Sequence, residues 1–212
     1  MARFADRVDA GRALASALER WRGTDAVVLG IPRGGVVTAA QVAAGLELPL
    51  DAVVVRKLGA TGREEFAVGA IAEGVRIVTP SAVRWAGMSP ADLEHVESSE
   101  RDELARRTGA FGAPFIDLAG RTAIVVDDGV ATGSSAIAAC RALRNRQPSR
   151  IVLAVPVAPA EWRPPPDAAD EYVCPYRERN FWAVGQFYDD FSQTTDAEVS
   201  ALLRERSTGP AT

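Results

Sequence analysis

The 212-residue chain holds two cysteines, two methionines, one histidine and, among its 24 basic side chains, one lysine. Each shortage excludes something. Cys140 and Cys174 form no CxxC pair and are too few for a disulfide framework, so both read as free thiols in a reducing compartment. A single histidine, His95, rules out multi-histidine metal sites and leaves one candidate for any Ser-His-Asp mechanism. No run approaches the length of a membrane-spanning helix. The opening Met1-Ala2-Arg3-Phe4-Ala5-Asp6-Arg7 is charged where a signal core would be apolar, so a cytoplasmic location is expected. No GxGxxG or GxxxxGK[ST] string occurs, which removes the dinucleotide and P-loop readings.

What is present is globular. Hydrophobic residues make up 47% and charged residues 25%, and the length suits one domain over 1–212 with a real core. The net charge of -4 argues against a broad basic face for nucleic acid. The negative excess sits late. From Glu161 onward there are ten acids and five bases, a net of -5, so the preceding part is near +1 and can hold an anion site. The one lysine, Lys57, lies in that part.

Hydrophobic patterning alternates short apolar strands with helices. Leu14, Leu18 and Trp21 share one face of an opening helix that Gly23 can stop. Ala26–Leu29 is a strand running into Gly30-Ile31-Pro32-Arg33-Gly34-Gly35 and then a helix to about Gly45. Ala52–Val55 is a second strand, followed by the polar stretch Arg56–Arg63, which reads as a mobile loop. Phe66–Ile71 and Val75–Val78 form a hairpin, the flap of the fold. Ser89-Pro90 opens a charged, mostly solvated helix to about Thr108. Thr122–Val126 is a third strand, with a helix to about Arg146 and a fourth strand, Ile151–Val155. The tail ends in a helix opened by a capping box, Thr195 and Glu198. Such alternation predicts an α/β fold, a parallel sheet with helices on both faces.

The segment Asp127-Asp128-Gly129-Val130-Ala131-Thr132-Gly133-Ser134-Ser135 carries the sharpest signal. It follows a strand, where open parallel sheets bind ligands. Backbone N–H groups of Ala131, Thr132, Gly133, Ser134 and Ser135 can surround a phosphate at a helix start, with three hydroxyls to help. Asp127 and Asp128 would repel that phosphate and suit hydroxyl donors or a cation. On the residues alone, the segment is either a sugar-phosphate site or a capped turn that happens to hold two acids. Arg33, Gly34 and Gly35 can likewise be an anion loop or a plain turn. Arg56 and Lys57 can clamp phosphate oxygens or simply begin a solvated loop.

Ile124–Ser135 resembles the phosphate-ribose loop of the type I phosphoribosyltransferases. Gly30–Gly35 is similar to that family's pyrophosphate loop, and Arg56-Lys57 to the cations that open its mobile loop. The resemblance covers about 22–157. It implies a Rossmann-like core with a small hood built from the N-terminus and residues 160–212. It also implies 5-phospho-α-D-ribosyl 1-diphosphate as donor, Mg²⁺ carried mainly on the donor's diphosphate with no resident metal site, and transfer to an undefined nucleophile, a nucleobase being one candidate. On that resemblance Asp127 and Asp128 hold the ribose hydroxyls, and Ala131, Thr132, Gly133, Ser134 and Ser135 the 5-phosphate. Arg33, Gly34 and Gly35 hold the pyrophosphate, with Arg56 and Lys57 closing over it. A homodimer is expected only by analogy. The alternatives are a sensor that binds the same ligand without chemistry and a sugar-phosphate hydrolase. His95 reads as a surface residue and Cys140 as packing. The aromatic segment 181–191 reads as a core strand with an acidic turn.

Overall fold

In the computed structural model, residues 2–111 and 116–207 are described. The end of the expected hood, 208–212, lies outside them. The apolar runs found in the sequence become strands β1 (Val27–Gly30), β2 (Leu50–Ala52), β6 (Thr122–Val126), β7 (Arg150–Ala154) and β9 (Glu171–Val173). They form one sheet in the order β2-β1-β6-β7-β9, parallel throughout.

The short strands read as continuous apolar runs because both faces are covered. Val28, Ile124, Val126 and Val152 face helix α2 (Gly34–Leu46), backed by α1 (Arg7–Ala17) and α6 (Asp196–Ser207). Val27, Leu29, Val125 and Leu153 face helix α5 (Ser134–Arg144). Alternate residues of each strand thus enter opposite cores.

β1 leads through α2 to β2 on one side. β6 leads through α5 to β7 on the other. The strand order therefore reverses between β1 and β6, which opens a crevice beyond Gly30 and Val126. Ile31 N–H donates to the Val126 carbonyl at 2.9 Å, fixing the first loop against the second.

A second sheet is antiparallel: β3 (Val55–Ala60), β4 (Arg63–Ala72) and β5 (Val75–Val78). It contains the expected hairpin, and it corrects one expectation. Arg56-Lys57-Leu58-Gly59 is strand, with Arg56 opposite Ile71 and Lys57 opposite Ala70. The expected strand Ala52–Val55 is likewise split. Val53 N–H still donates to the Gly30 carbonyl at 3.0 Å, and the chain then passes into the second sheet. Short helix α3 (Pro80–Ala86) and long helix α4 (Pro90–Phe111) follow. Ser89 and Asp92 cap α4 reciprocally, and only Phe111 of that helix is buried. Its sparse apolar stripe, Leu93, Val96 and Leu104, packs on Leu58, Val68 and Ile71 of the second sheet.

The aromatic tail differs from its expectation. Residues 181–191 hold a 3-10 turn (Val184–Phe187) where a core strand was expected. Phe187 and Tyr188 are buried against Phe4 and Ala10 of the N-terminal segment. A two-stranded parallel pair, β8 (Val157–Pro159) with β10 (Tyr176–Glu178), supports this region. The capping box at Thr195 and Glu198 is present, and Val199 and Leu203 of α6 are buried.

Candidate active site

Both loops at the crevice lead directly into helices. α2 begins after Arg33 and α5 after Gly133, and neither start has a side-chain cap. Their first-turn N–H groups are therefore available to an outside acceptor. Gly133 has φ +81°, and a Cβ there would lie 2.2 Å from the Trp162 ring, so the turn requires glycine. The Trp162 indole N–H donates to the Thr132 carbonyl at 3.1 Å and braces the loop from outside. Thr132 and Ser134 hydroxyls lie 3.4 Å apart on its exposed side. The Pro32–Arg33 peptide is cis.

Gly34 and Gly35 meet the two acids. A Cβ on Gly34 would lie 2.1 Å from Asp128 Oδ2, and one on Gly35 would lie 2.9 Å from Asp127 Oδ1. The backbone of the first loop thus lies directly against the carboxylates of the second. Burial raises the Asp127 carboxyl well above its ordinary range, and the neighbouring Asp128 charge raises it further. Burial raises Asp128 as well, opposed first by the Arg7 guanidinium and also by the Lys57 ammonium. Arg7 Nε donates to Asp128 Oδ2 at 2.7 Å. The Tyr188 hydroxyl donates to the Asp128 carbonyl at 2.5 Å, and burial pushes that phenol up.

Beside the acids lies an open cleft of about 830 Å³. Arg33, Arg56, Lys57, His95, Ser135 and Gln193 are among its lining residues. Four cations, Arg107 of α4 among them, and a helix-start serine converging on one cleft suit a polyanion. Lys57 is exposed, while Arg56 is held by Glu100 of α4, Nε to Oε2 at 2.6 Å. Arg33 lies 3.8 Å from Asp196 of α6. Among the described residues no group of three His, Cys, Asp or Glu side chains is placed to cage a metal.

All the candidate residues read from the sequence therefore cluster at this end of the sheet. Arg33, Arg56, Lys57 and Ser135 share the cleft. Gly34, Gly35, Asp127 and Asp128 are in mutual contact next to it. Ala131 and Thr132 are exposed, and the Thr132–Gly133 backbone is braced by Trp162. His95 is exposed on α4 at the cleft wall, as expected of a surface residue. Cys140 is fully buried, and burial pushes its thiol up to about 12, which suits packing rather than chemistry. Sequence reasoning missed Arg7, Glu100, Trp162 and Tyr188. Arg7 is 121 residues from the acid it pairs with, and no local pattern signals a contact of that separation. The Asp6 cap on α1, donated to by Asp9 N–H at 2.8 Å, was the only readable sign that Arg7 begins an ordered element.

Comparison with known proteins identifies the family. Two curated proteins from strains of Mycobacterium tuberculosis, each named a "putative phosphoribosyl transferase", are 46% identical over 207 residues. The match covers 94% of this chain, and the chain spans 46% of their length, about half. The crystal structure of TT1426 from Thermus thermophilus is 41% identical, with a TM-score of 0.73 over 96% of this chain and 99% of that one. The family model described as the phosphoribosyl transferase domain matches residues 5–192, and the chain belongs to that family.

Proposed function

We propose that the chain transfers the 5-phosphoribosyl group from 5-phospho-α-D-ribosyl 1-diphosphate to a nucleophile, with release of pyrophosphate. The observation that carries this reading is the contact of Gly34 and Gly35 with Asp128 and Asp127 between two uncapped helix starts. One helix start takes the 5-phosphate on Ala131, Thr132, Gly133, Ser134 and Ser135. The other takes the diphosphate on Arg33, Gly34 and Gly35, with Lys57 and Arg56 over it. The acids between them take the ribose hydroxyls. A phosphate, a diol and a diphosphate on one pentose match that order.

In the reaction, the anomeric C–O bond breaks and its electron pair leaves on the diphosphate oxygen. The nucleophile's lone pair forms the new bond, and its proton passes to solvent. Positive charge builds on the ring at the transition state, as in glycoside cleavage. Asp127 and Asp128, fixed beside the ring, favour that charge, and the cleft cations favour the leaving group. Magnesium would arrive with the donor, on the diphosphate, and neutralise part of its charge. The N-terminal helix and the tail from 160 serve as the hood. The setting is cytoplasmic, with small molecules as partners and a homodimer by analogy.

Incubation with the donor, Mg²⁺ and a panel of nucleobases and amines tests this. Acceptor-dependent pyrophosphate release is expected. Acceptor-independent release would make the protein a hydrolase, and binding without release would make it a sensor.

A further inference from the structure

Each of the two site acids has one oxygen already occupied. Asp127 Oδ1 accepts the Asp128 N–H at 2.9 Å, and Asp128 Oδ2 accepts Arg7 Nε at 2.7 Å. Among the described residues, Asp127 Oδ2 and Asp128 Oδ1 receive no hydrogen bond from protein.

Arg7 is itself held on several sides. Its Nη1 donates to the Ser192 carbonyl at 2.7 Å. Its guanidinium carbon lies 3.9 Å from the centroid of the Phe191 ring. A Cβ on Gly34 would lie 2.5 Å from its Nε, so backbone closes a further side. The Arg7 side chain is 12% exposed and that of Asp128 15%. A planar fork fixed in this way cannot follow Asp128 if the acid turns, and it loses little freedom when a ligand arrives.

We propose that Arg7 is a positioning residue: by taking Oδ2 of Asp128 it fixes Oδ1 as that acid's one open acceptor beside Oδ2 of Asp127, a two-point acceptor that selects a vicinal diol. This deepens the phosphoribosyl reading above and rests on it. A carboxylate with both oxygens free turns about its last bond and accepts a lone hydroxyl through either. A carboxylate pinned at one oxygen presents the other at a fixed place, so a ligand lacking one hydroxyl leaves one acid unmatched.

Arg7 also keeps Asp128 an acceptor. Burial favours its protonated form, which would present a donor to the sugar. The groups facing Asp128 are Arg7 from α1, Lys57 from β3, Asp127 beside it and Tyr188 from the tail. Of these only Arg7 hydrogen-bonds its carboxylate.

The test compares ribose 5-phosphate with 2-deoxyribose 5-phosphate by calorimetry, from acid to mildly alkaline pH. The proteins are the full chain, Arg7→Met and Arg7→Lys, with thermal unfolding as the check on folding. The unaltered chain is expected to prefer ribose by about tenfold or more, the value of one hydrogen bond to a charged group. In Arg7→Met the ratio falls toward one, and the acid limb of ribose 5-phosphate binding moves up by about one to three pH units. In Arg7→Lys the charge stays and the fork is lost, so the limb stays near its original pH while the ratio falls part of the way.

If the unaltered chain binds neither sugar phosphate, the phosphoribosyl reading itself fails. If it binds both equally, or if the ratio and the limb are unchanged in Arg7→Met, the reading stands and the role of Arg7 is overturned. Should Arg7→Met not fold, Arg7→Lys decides, and an unaltered ratio there overturns the proposal.

Discussion

At the residue scale the site is governed by what has no side chain. Alanine at a helix start commonly gains a little stability over glycine. At Gly34 the sign reverses, because the added Cβ would lie 2.1 Å from Asp128 Oδ2 and 2.5 Å from Arg7 Nε. Gly34→Ala is expected to cost about 1–3 kcal/mol as an overpacked position. Denaturant unfolding checks this, and an equal or higher midpoint would contradict the packing. Asp127 gives the opposite outcome. Its folded-state carboxyl is raised above 3.8, by burial first and then by Asp128. A raised acid favours the folded state while protonated and loses that contribution as pH climbs through the folded value, so its ionisation destabilises the fold at neutral pH. Asp127→Asn is therefore expected to raise the melting temperature at neutral pH, with the gain shrinking as pH falls toward 3.8. Its ribose 5-phosphate affinity should fall roughly ten- to a hundredfold, the value of one hydrogen bond to a charged acid. A variant equally stable at neutral pH would show that the cost of Asp127 is met elsewhere.

At the element scale the cations sit on strand β3, not on a loop. Arg56 is engaged by Glu100 from α4, each side chain 24% exposed. A partly exposed pair of this kind is worth up to about 1 kcal/mol. Glu100→Gln should free Arg56 and tighten pyrophosphate binding by about fivefold, and Lys57→Met should weaken it. Unchanged affinity in both would remove β3 from the site. The strands β1, β6 and β7 were legible because each is a short apolar run closed by turn residues, and such runs are buried on both faces wherever the chain goes. Asp127, Asp128, Gly34 and Gly35 were legible for the same reason, since they stand at the ends of those runs. β3 was not. Its Arg-Lys-Leu-Gly string is polar, and it is a strand only because β4 pairs with it along one edge while α4 covers Leu58. The aromatic stretch 181–191 misled in the other direction. Its density suggests a strand, yet Phe187 and Tyr188 are spent filling the space beside Phe4.

At the scale of the whole molecule, the reversed strand order of the parallel sheet sets its two loops at one end, and β3 of the second sheet brings Arg56 and Lys57 to the same cleft. The opposite design choice is visible at Cys140, on the buried face of α5 inside the core. With its thiol pushed up to about 12 by burial, almost no thiolate forms at neutral pH. Alkylation of Cys140 is expected to wait for global unfolding and to follow the denaturant transition, read by mass spectrometry of that peptide. Reaction at the rate of a free thiol in the folded protein would contradict the packing. The many arginines of this surface have a further practical result. Because Lys57 is the one lysine in the chain and lies exposed in the cleft, amine acylation can write a fluorophore onto a single side-chain address in the cleft that Arg33 also lines. The molecule arrives with its own labelling handle, and occupancy of the cleft can be followed by light without engineering a new residue.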